Sequence, residues 1–373
     1  MRPANQADRA GSDSAMIHRG NTPGAAPWAG TAFRVGETLY GGATWCVRAG
    51  FELGWRRTFR LPCKVISVGN LTTGGTGKTP MVQAIATRLR DEGYRVVVLC
   101  RGYGGVLSRD GAVVSDGAKV LVSPEAAGDE PVLHGNRLKG IPVIIGRDRV
   151  KAGLRAVRDF AAEVVVLDDA YQYWRLYRDL DIVLIDAANP FSGGRLLPAG
   201  RLREPVSALR RADVAVLTRA SRVNPSSRDQ VIGQVRCHLR ADAIIAQADH
   251  RPTRLYRVHR TDEACSVDWL NHRRIVAACA LGDGEGFVET LHAQGGDVVE
   301  AFIYPDHHCF GMRDYLRIAS AARTADCPVV ITEKDAVKWS TSSAVPEVWV
   351  LGIEMQIHEE RVVYRRIAAA LEP

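Results

Sequence analysis

The chain has 373 residues, 46% of them hydrophobic and 24% charged, which is the composition of a soluble globular protein with room for two domains. A net charge of +7 suits phosphates or an anionic membrane surface, but no RNA-recognition, zinc-finger or basic-zipper pattern accompanies it, so no nucleic-acid partner is expected. Eight scattered Cys without a C-x-x-C spacing exclude a disulfide framework and a zinc site and suit a reducing cytoplasm.

Residues 1–30 are rich in Gly, Ala, Pro, Asn, Asp and Ser. They lack the apolar segment of a signal peptide and read as a disordered lead. The stretch 31–60 is apolar and aromatic, but Arg34, Glu37, Arg48 and Glu52 interrupt it, so it should not span a membrane. Two readings fit. It lies in the membrane interface, with Trp28, Phe33, Tyr40, Trp45, Phe51 and Trp55 towards lipid and Arg56, Arg57 and Arg60 on head groups, or it packs on the protein's own core.

From residue 64, short apolar runs alternate with amphipathic ones. Strands are predicted at 64–69, 95–100, 142–146, 163–169, 181–187 and 213–218, with helices between them such as 78–92 and 148–160. Strands apolar throughout and separated by helices imply a parallel sheet buried on both faces. A polar, Arg- and Pro-rich region at 221–262 is read as the link to a second set. There, strands are expected at 274–281, 298–304, 328–332 and 347–353, and helices near 285–294, 312–324 and 359–371. The fold class is therefore α/β. A P-loop NTPase-like sandwich over 61–220 and a second α/β/α sandwich over 263–373 follow an amphipathic N-terminal helix.

The motif that carries chemistry is "SVGNLTTGGTGKTP", 67–80. A phosphate loop reads G-x-x-x-x-G-K-[ST], and here Thr72 stands where the first Gly belongs. The context is still that of such a loop. A buried strand runs into Gly74, Gly75 and Gly77, and a helix starts at Lys78. Glycines let backbone N–H groups turn onto phosphate oxygens, and the helix N-terminus adds partial positive charge. Lys78 would reach the β- and γ-phosphates, and the Thr79 hydroxyl would ligate Mg²⁺. Asp168 and Asp169, ending "VVVLDD", supply the second metal carboxylate at the tip of another strand. Asp186, ending "DIVLID", competes for that role. The GTPase motif N-K-x-D is absent.

"VGNLTTGGTGKTP", "RGYGG" (101–105), "AGDEPVL" (127–133), "GRDRV" (146–150), "LDDAYQ" (167–172), "GGRLLPAGRLREP" (193–205), "PDHHCF" (305–310) and "TEKDAVK" (332–338) together resemble the tetraacyldisaccharide 4'-kinase family of lipid A biosynthesis. The resemblance runs from about residue 45 to the C-terminus. It implies transfer of the γ-phosphoryl of ATP to the 4'-hydroxyl of an acylated glucosamine disaccharide 1-phosphate, at the cytoplasmic face of the inner membrane. The implied partners are the lipid substrate and the membrane surface, for a chain expected to act as a monomer.

By the same resemblance, Thr72, Thr73, Gly74, Gly75, Thr76, Gly77, Lys78 and Thr79 hold ATP. Thr79, Asp168, Asp169 and Gln172 belong to the Mg²⁺ site. Asp129 is the base that takes the hydroxyl proton, with His307 as its partner, and His308 is structural. Read without the family, Asp129 is better taken as a helix N-cap, since "GDEP" is a plausible helix start. Arg101, Tyr103, Arg147, Arg149, Arg203 and Glu204 match positions near the disaccharide and its phosphate. Because Asp129 and His307 fall in different domains, the site is expected in a cleft that closes over the substrate.

Three departures stand out. The family's D-D-G-F-Q-H reads "DDAYQY", so Ala170, Tyr171 and Tyr173 replace Gly, Phe and His. A turn usually written A-G-I-G-x-P reads "ALGDGEG" at 280–286, and residues 1–30 have no counterpart. A degenerate homologue, or a P-loop switch without an acceptor, are the alternatives. A switch would not need Asp129, His307 and the Arg set together.

Overall fold

The computed structural model describes residues 16–19, 29–258, 260–340, 345 and 347–372. In chain order these form β1 (Met16–Arg19), α1 (Ala29–Glu52), β2 (Lys64–Asn70), α2 (Lys78–Asp91), β3 (Val96–Cys100), β4 (Ala112–Ser115), α3 (Pro124–Ala127), α4 (Asp129–Arg137), β5 (Val143–Ile145), α5 (Arg149–Phe160), β6 (Val164–Asp168) and β7 (Leu180–Asp186). After them come β8 (Val214–Thr218), α6 (Pro225–Arg236), β9 (Ile244–Arg257), β10 (Arg260–Cys265), β11 (Arg274–Ala280), α7 (Gly284–Ala293), β12 (Asp297–Tyr304), α8 (Met312–Ala325), β13 (Val329–Thr332), α9 (Glu333–Ala336), β14 (Val348–Ile357) and α10 (Glu360–Leu371).

Two compact units result. The larger comprises 23–253, 336–338 and 352–373, and the smaller 1–22, 254–335 and 339–351. The division differs from the expected boundaries. The supposed linker is filled by α6 and the long β9, and the C-terminal α10 belongs with the P-loop unit. Pro252 and a run of charges hid β9 in the sequence, since a strand that is polar on many positions shows no apolar run.

In the larger unit the strand order is β9-β8-β7-β2-β6-β3-β5-β4, parallel except for the β4–β5 pair. Side chains alternate across β2. Ile66 and Val68 pack in the same core as Met81, Val82 and Ile85 of α2, while Val65 shares a second core with Val150, Ala152 and Ala156 of α5. Both faces of the sheet are thus covered, as continuous apolar strands require. The smaller unit orders its strands β1-β12-β11-β13-β14, all parallel, with Phe287, Val288 and Leu291 of α7 packed on Ile275, Ala277 and Cys279 of β11. In the rewritten turn, the Asp283 carboxylate accepts from Gly286 N–H at 3.0 Å and so caps α7.

Two expectations about the N-terminus change. The lead expected to be disordered contributes β1, which pairs with β12, and the first two residues of α1; the rest of it, Trp28 included, falls outside the described residues. Helix α1 forms, and among the described residues no helix is long and apolar enough to cross a membrane. Its outward face keeps Phe33, Trp45 and Trp55 of the expected set but not Tyr40 and Phe51. Tyr40 donates its hydroxyl to the Arg203 carbonyl at 3.0 Å, and Phe51 stacks on Trp174 with ring centroids 6.5 Å apart. Phe33, Val35, Leu39, Trp45, Val47 and, just beyond the helix, Leu53 and Trp55 are the exposed apolar residues.

Candidate active site

Strand β2 lies between β6 and β7 at the centre of the larger sheet, and the phosphate loop leaves its C-terminal end. Gly74 and Gly77 have φ of 119° and 86°, values that suit glycine alone without strain. Gly77 ends the loop at the N-terminus of α2, where a Cβ would also come within 2.6 Å of His250 Nε2 and 2.8 Å of Met355 Cε. Thr72 needs no such freedom. It is buried and bridges to Leu202, and the N–H of Thr73 donates to the Arg201 carbonyl at 2.8 Å. A second segment therefore splints the loop at the position where the usual motif has glycine. Inside the loop, Asn70 donates its side-chain amide to the Thr76 hydroxyl at 2.9 Å, and Gln172 donates to the Asn70 carbonyl at 2.9 Å.

The two carboxylates after β6 are in different situations. Asp169, in the left-handed region at φ 53°, lies 3.9 Å from Lys78 Nζ and accepts from Arg203 at 2.8 and 2.9 Å. Burial alone would raise its pKa, but Lys78 and Arg203 hold it below the usual carboxylate range. Asp168 is buried, and its Oδ2 lies 3.0 Å from His134 Nε2. Its Oδ1 accepts no hydrogen bond from any described residue. Beside this pair, burial pushes the Cys100 thiol well up, so it stays protonated. The strained turn needed for the family's glycine is not at Ala170, which is buried with an ordinary backbone, but at Asp169. Asp186 is engaged elsewhere: it pairs with Arg219, which also donates to the Gly75 carbonyl at 2.8 Å.

Asp129 is the first residue of α4 and not its cap, since Gly128 holds that position and no side chain caps this end. The carboxylate instead takes Lys338 Nζ at 3.3 Å. His307 belongs to the smaller unit, in the left-handed region at φ 63°, with its Nε2 3.4 Å from Lys334 Nζ and 3.7 Å from Asp306 Oδ2. His308 bonds Asp314 at 2.9 Å and stacks on Tyr304, as a structural histidine would.

The expected substrate set divides. Arg101, Tyr103 and Arg147 are exposed. Arg149 is buried and donates to the Gly146 and Arg147 carbonyls, with its guanidinium 5.4 Å from the Tyr173 ring centroid. The Tyr173 hydroxyl accepts from Arg149 N–H at 3.1 Å. Glu204 is also buried and binds Arg211 at 2.6 Å, and that guanidinium lies over the rings of Tyr171 and Trp174. Arg149 and Glu204 are thus buried and bonded to the protein's own groups, whereas Arg101, Tyr103 and Arg147 are open to solvent.

Three residues at this site escaped the sequence reading: His134, Arg201 and His250. The guanidinium of Arg201 lies against Gly74 and, among the described residues, makes no hydrogen bond or ion pair. Arg201 and His250 come to the loop, and His134 to Asp168, from elements distant in sequence.

A central parallel strand that bends through glycines into a lysine-headed helix, beside a strand ending in two aspartates, places this chain among the P-loop phosphotransferases. The comparisons narrow the class. Residues 31–372 match the family model LpxK, Tetraacyldisaccharide-1-P 4'-kinase. The tetraacyldisaccharide 4'-kinase of Syntrophus aciditrophicus is 41% identical over 314 residues, 82% of this chain and 83% of its own. That of Geobacter sulfurreducens is 38% identical over 317 residues, 84% and 86% of the two chains. The crystal structure of LpxK from Aquifex aeolicus in complex with ATP superposes with a TM-score of 0.74 at 30% identity, covering 92% of this chain and all of that one. The chain belongs to the tetraacyldisaccharide 4'-kinase family. It is an ATP-dependent kinase that phosphorylates the 4'-hydroxyl of the tetraacyl disaccharide 1-phosphate in lipid A biosynthesis. Its relatives' names favour the kinase over a nucleotide switch or a degenerate homologue.

Proposed function

We propose that the reaction is Mg²⁺-assisted, uses Asp129 as base, and takes place at the cytoplasmic face of the inner membrane. One observation carries the reading. At the loop that receives the triphosphate, Lys78 and Arg203 converge on Asp169, while Asp168 keeps a buried oxygen that accepts from no described residue. That oxygen, the Thr79 hydroxyl at the start of α2 and the Gln172 amide, oriented by Asn70, suit a hard cation with oxygen ligands. Mg²⁺, when bound, neutralises charge on the β- and γ-phosphates.

The protein's own groups do the rest. The residues from Thr72 to Thr79 cradle the phosphates, and Lys78 and Arg201 offset the charge that spreads over the transferring oxygens. A sugar hydroxyl is a poor nucleophile, so Asp129 takes its proton as the oxygen–phosphorus bond forms and ADP leaves. Lys338, with its Nζ 3.3 Å away, orients that carboxylate. His307 is kept among the catalytic residues by the family resemblance alone. Arg101, Tyr103 and Arg147 are the exposed candidates for the substrate's 1-phosphate. The exposed apolar face of α1, with Arg56, Arg57 and Arg60 after it, brings the site to a substrate whose acyl chains stay in the bilayer.

The test is transfer of label from γ-labelled ATP to a detergent-dispersed acylated disaccharide 1-phosphate. Label on the sugar with wild type, and a loss on the order of 10²-fold or more in Asp129→Ala, supports the reading. Unchanged transfer in Asp129→Ala sinks the base.

A further inference from the structure

His134 is a buried histidine that the reaction as described leaves without a role. It belongs to α4, five positions after Asp129, and it has no exposed surface. Its Nε2 lies 3.0 Å from Asp168 Oδ2, and its Nδ1 has no hydrogen-bond partner among the described residues. An ionised carboxylate only accepts, so Nε2 must carry the proton and donate. The ring is therefore a one-directional clamp on one oxygen of Asp168.

The clamp matters because of where Asp168 stands. The last residue of β6 lies in register with Val68 of β2, two positions before the chain leaves that strand for the phosphate loop. A carboxylate at a strand tip can rotate, and rotation would exchange the oxygen turned to the cation for the one turned to the core. With Oδ2 held by His134, Oδ1 is the oxygen left free for a cation: it is buried and accepts nothing from the described residues. The segment where the family carries a histidine cannot do this here. Tyr173 stands there, and its hydroxyl accepts from Arg149 N–H.

We propose that His134 is a positioning residue that orients Asp168 for the divalent cation, a task reached in this chain from α4. The inference rests on the reading that Asp168 is a cation carboxylate. Histidine–carboxylate contacts behind a metal are typically worth about 10- to 100-fold in metal affinity.

The experiment is a Mn²⁺ titration followed by electron paramagnetic resonance, with a non-hydrolysable ATP analogue on the full-length protein. Four proteins are compared: wild type, His134→Leu, His134→Gln and Asp168→Asn. His134→Leu keeps the volume and removes the donor, and it should weaken Mn²⁺ about tenfold or more, with metal-free nucleotide affinity unchanged. His134→Gln keeps an N–H donor and should recover most of the loss. Kinase turnover of His134→Leu should be restored by excess Mg²⁺. Equal Mn²⁺ affinity in His134→Leu and wild type, with Asp168→Asn weakened, overturns the role of His134 and leaves Asp168 standing. Unchanged affinity in Asp168→Asn overturns the reading beneath it. Should His134→Leu fail to fold, His134→Gln against His134→Asn, whose amide is too short to reach, makes the same comparison.

Discussion

Lys78 and Asp169 face each other at 3.9 Å where α2 begins, with Arg203 closing on the same carboxylate from a separate loop. The ammonium is thereby pointed before any nucleotide arrives. Lys78→Ala should lower ATP turnover by about 10²-fold or more, the usual cost of one preorganised charge at a phosphoryl-transfer site. It should also raise the pKa of Asp169, because burial is then opposed by Arg203 and Arg149 without Lys78. Steady-state kinetics decide the first point, and turnover within about threefold of wild type would remove Lys78 from the mechanism.

Arg201 offers a sharper contrast. Its backbone splints the loop, so any substitution keeps that support, while its guanidinium lies against Gly74 with no partner among the described residues. Arg201→Ala should weaken ATP more than ADP and lower kcat by roughly 10- to 10³-fold. Equal losses for the two nucleotides would mean that the side chain never meets the γ-phosphate.

Gly69 is fixed by packing and not by its backbone angles. A Cβ there would come 2.7 Å from Tyr171 Cβ, and Tyr171 is buried with its hydroxyl donated to the Ala208 carbonyl at 2.6 Å. Gly69→Ala should therefore destabilise the larger unit by about 1–3 kcal/mol through overpacking. Thermal denaturation measures it, and an unchanged midpoint would show that the strand yields freely.

His250 sets a pH dependence. Burial first, then the Arg219 and Arg222 charges, push its pKa from 6.5 down to about 4. The unfolded chain takes up a proton below pH 6.5 while the folded chain does not. Stability is then fully present above pH 6.5 and falls as the pH drops towards 4, by roughly 1 kcal/mol per pH unit from this group. Denaturant midpoints between pH 7 and 4.5 should show a shallower slope in His250→Gln than in wild type, and identical slopes would discard the assignment.

Leu39, Trp45 and Trp55 are exposed on and just beyond α1. Leu39→Ser with Trp45→Ser should lower partition onto anionic vesicles by about tenfold or more, as burial of large apolar side chains is worth ~1.5–3 kcal/mol each. Turnover of detergent-dispersed substrate should stay near wild type. Vesicle sedimentation reads the partition, and an unchanged value would assign this face to something other than lipid.

Sequence alone determined the strands and helices of the parallel core. The predicted 64–69 and 213–218 agree with β2 and β8 to about a residue, because strands buried on both faces read as near-continuous apolar runs. It also located the glycine-rich loop at the end of β2 and the paired aspartates at the end of β6, since those depend on neighbours in the chain. Tertiary structure decided what each charged side chain does. Arg149 and Glu204 look like ligands in a motif and turn out to be buried in their own loops, while Arg201 and His134 look like nothing and arrive at the nucleotide strand from elsewhere. Tertiary structure also gave the C-terminal helix α10 to the first unit and made a strand of the polar stretch expected as a linker. The physical reason is the same in each case: apolar periodicity records burial of a surface, whereas a polar group's role is set by which partner reaches it first in three dimensions.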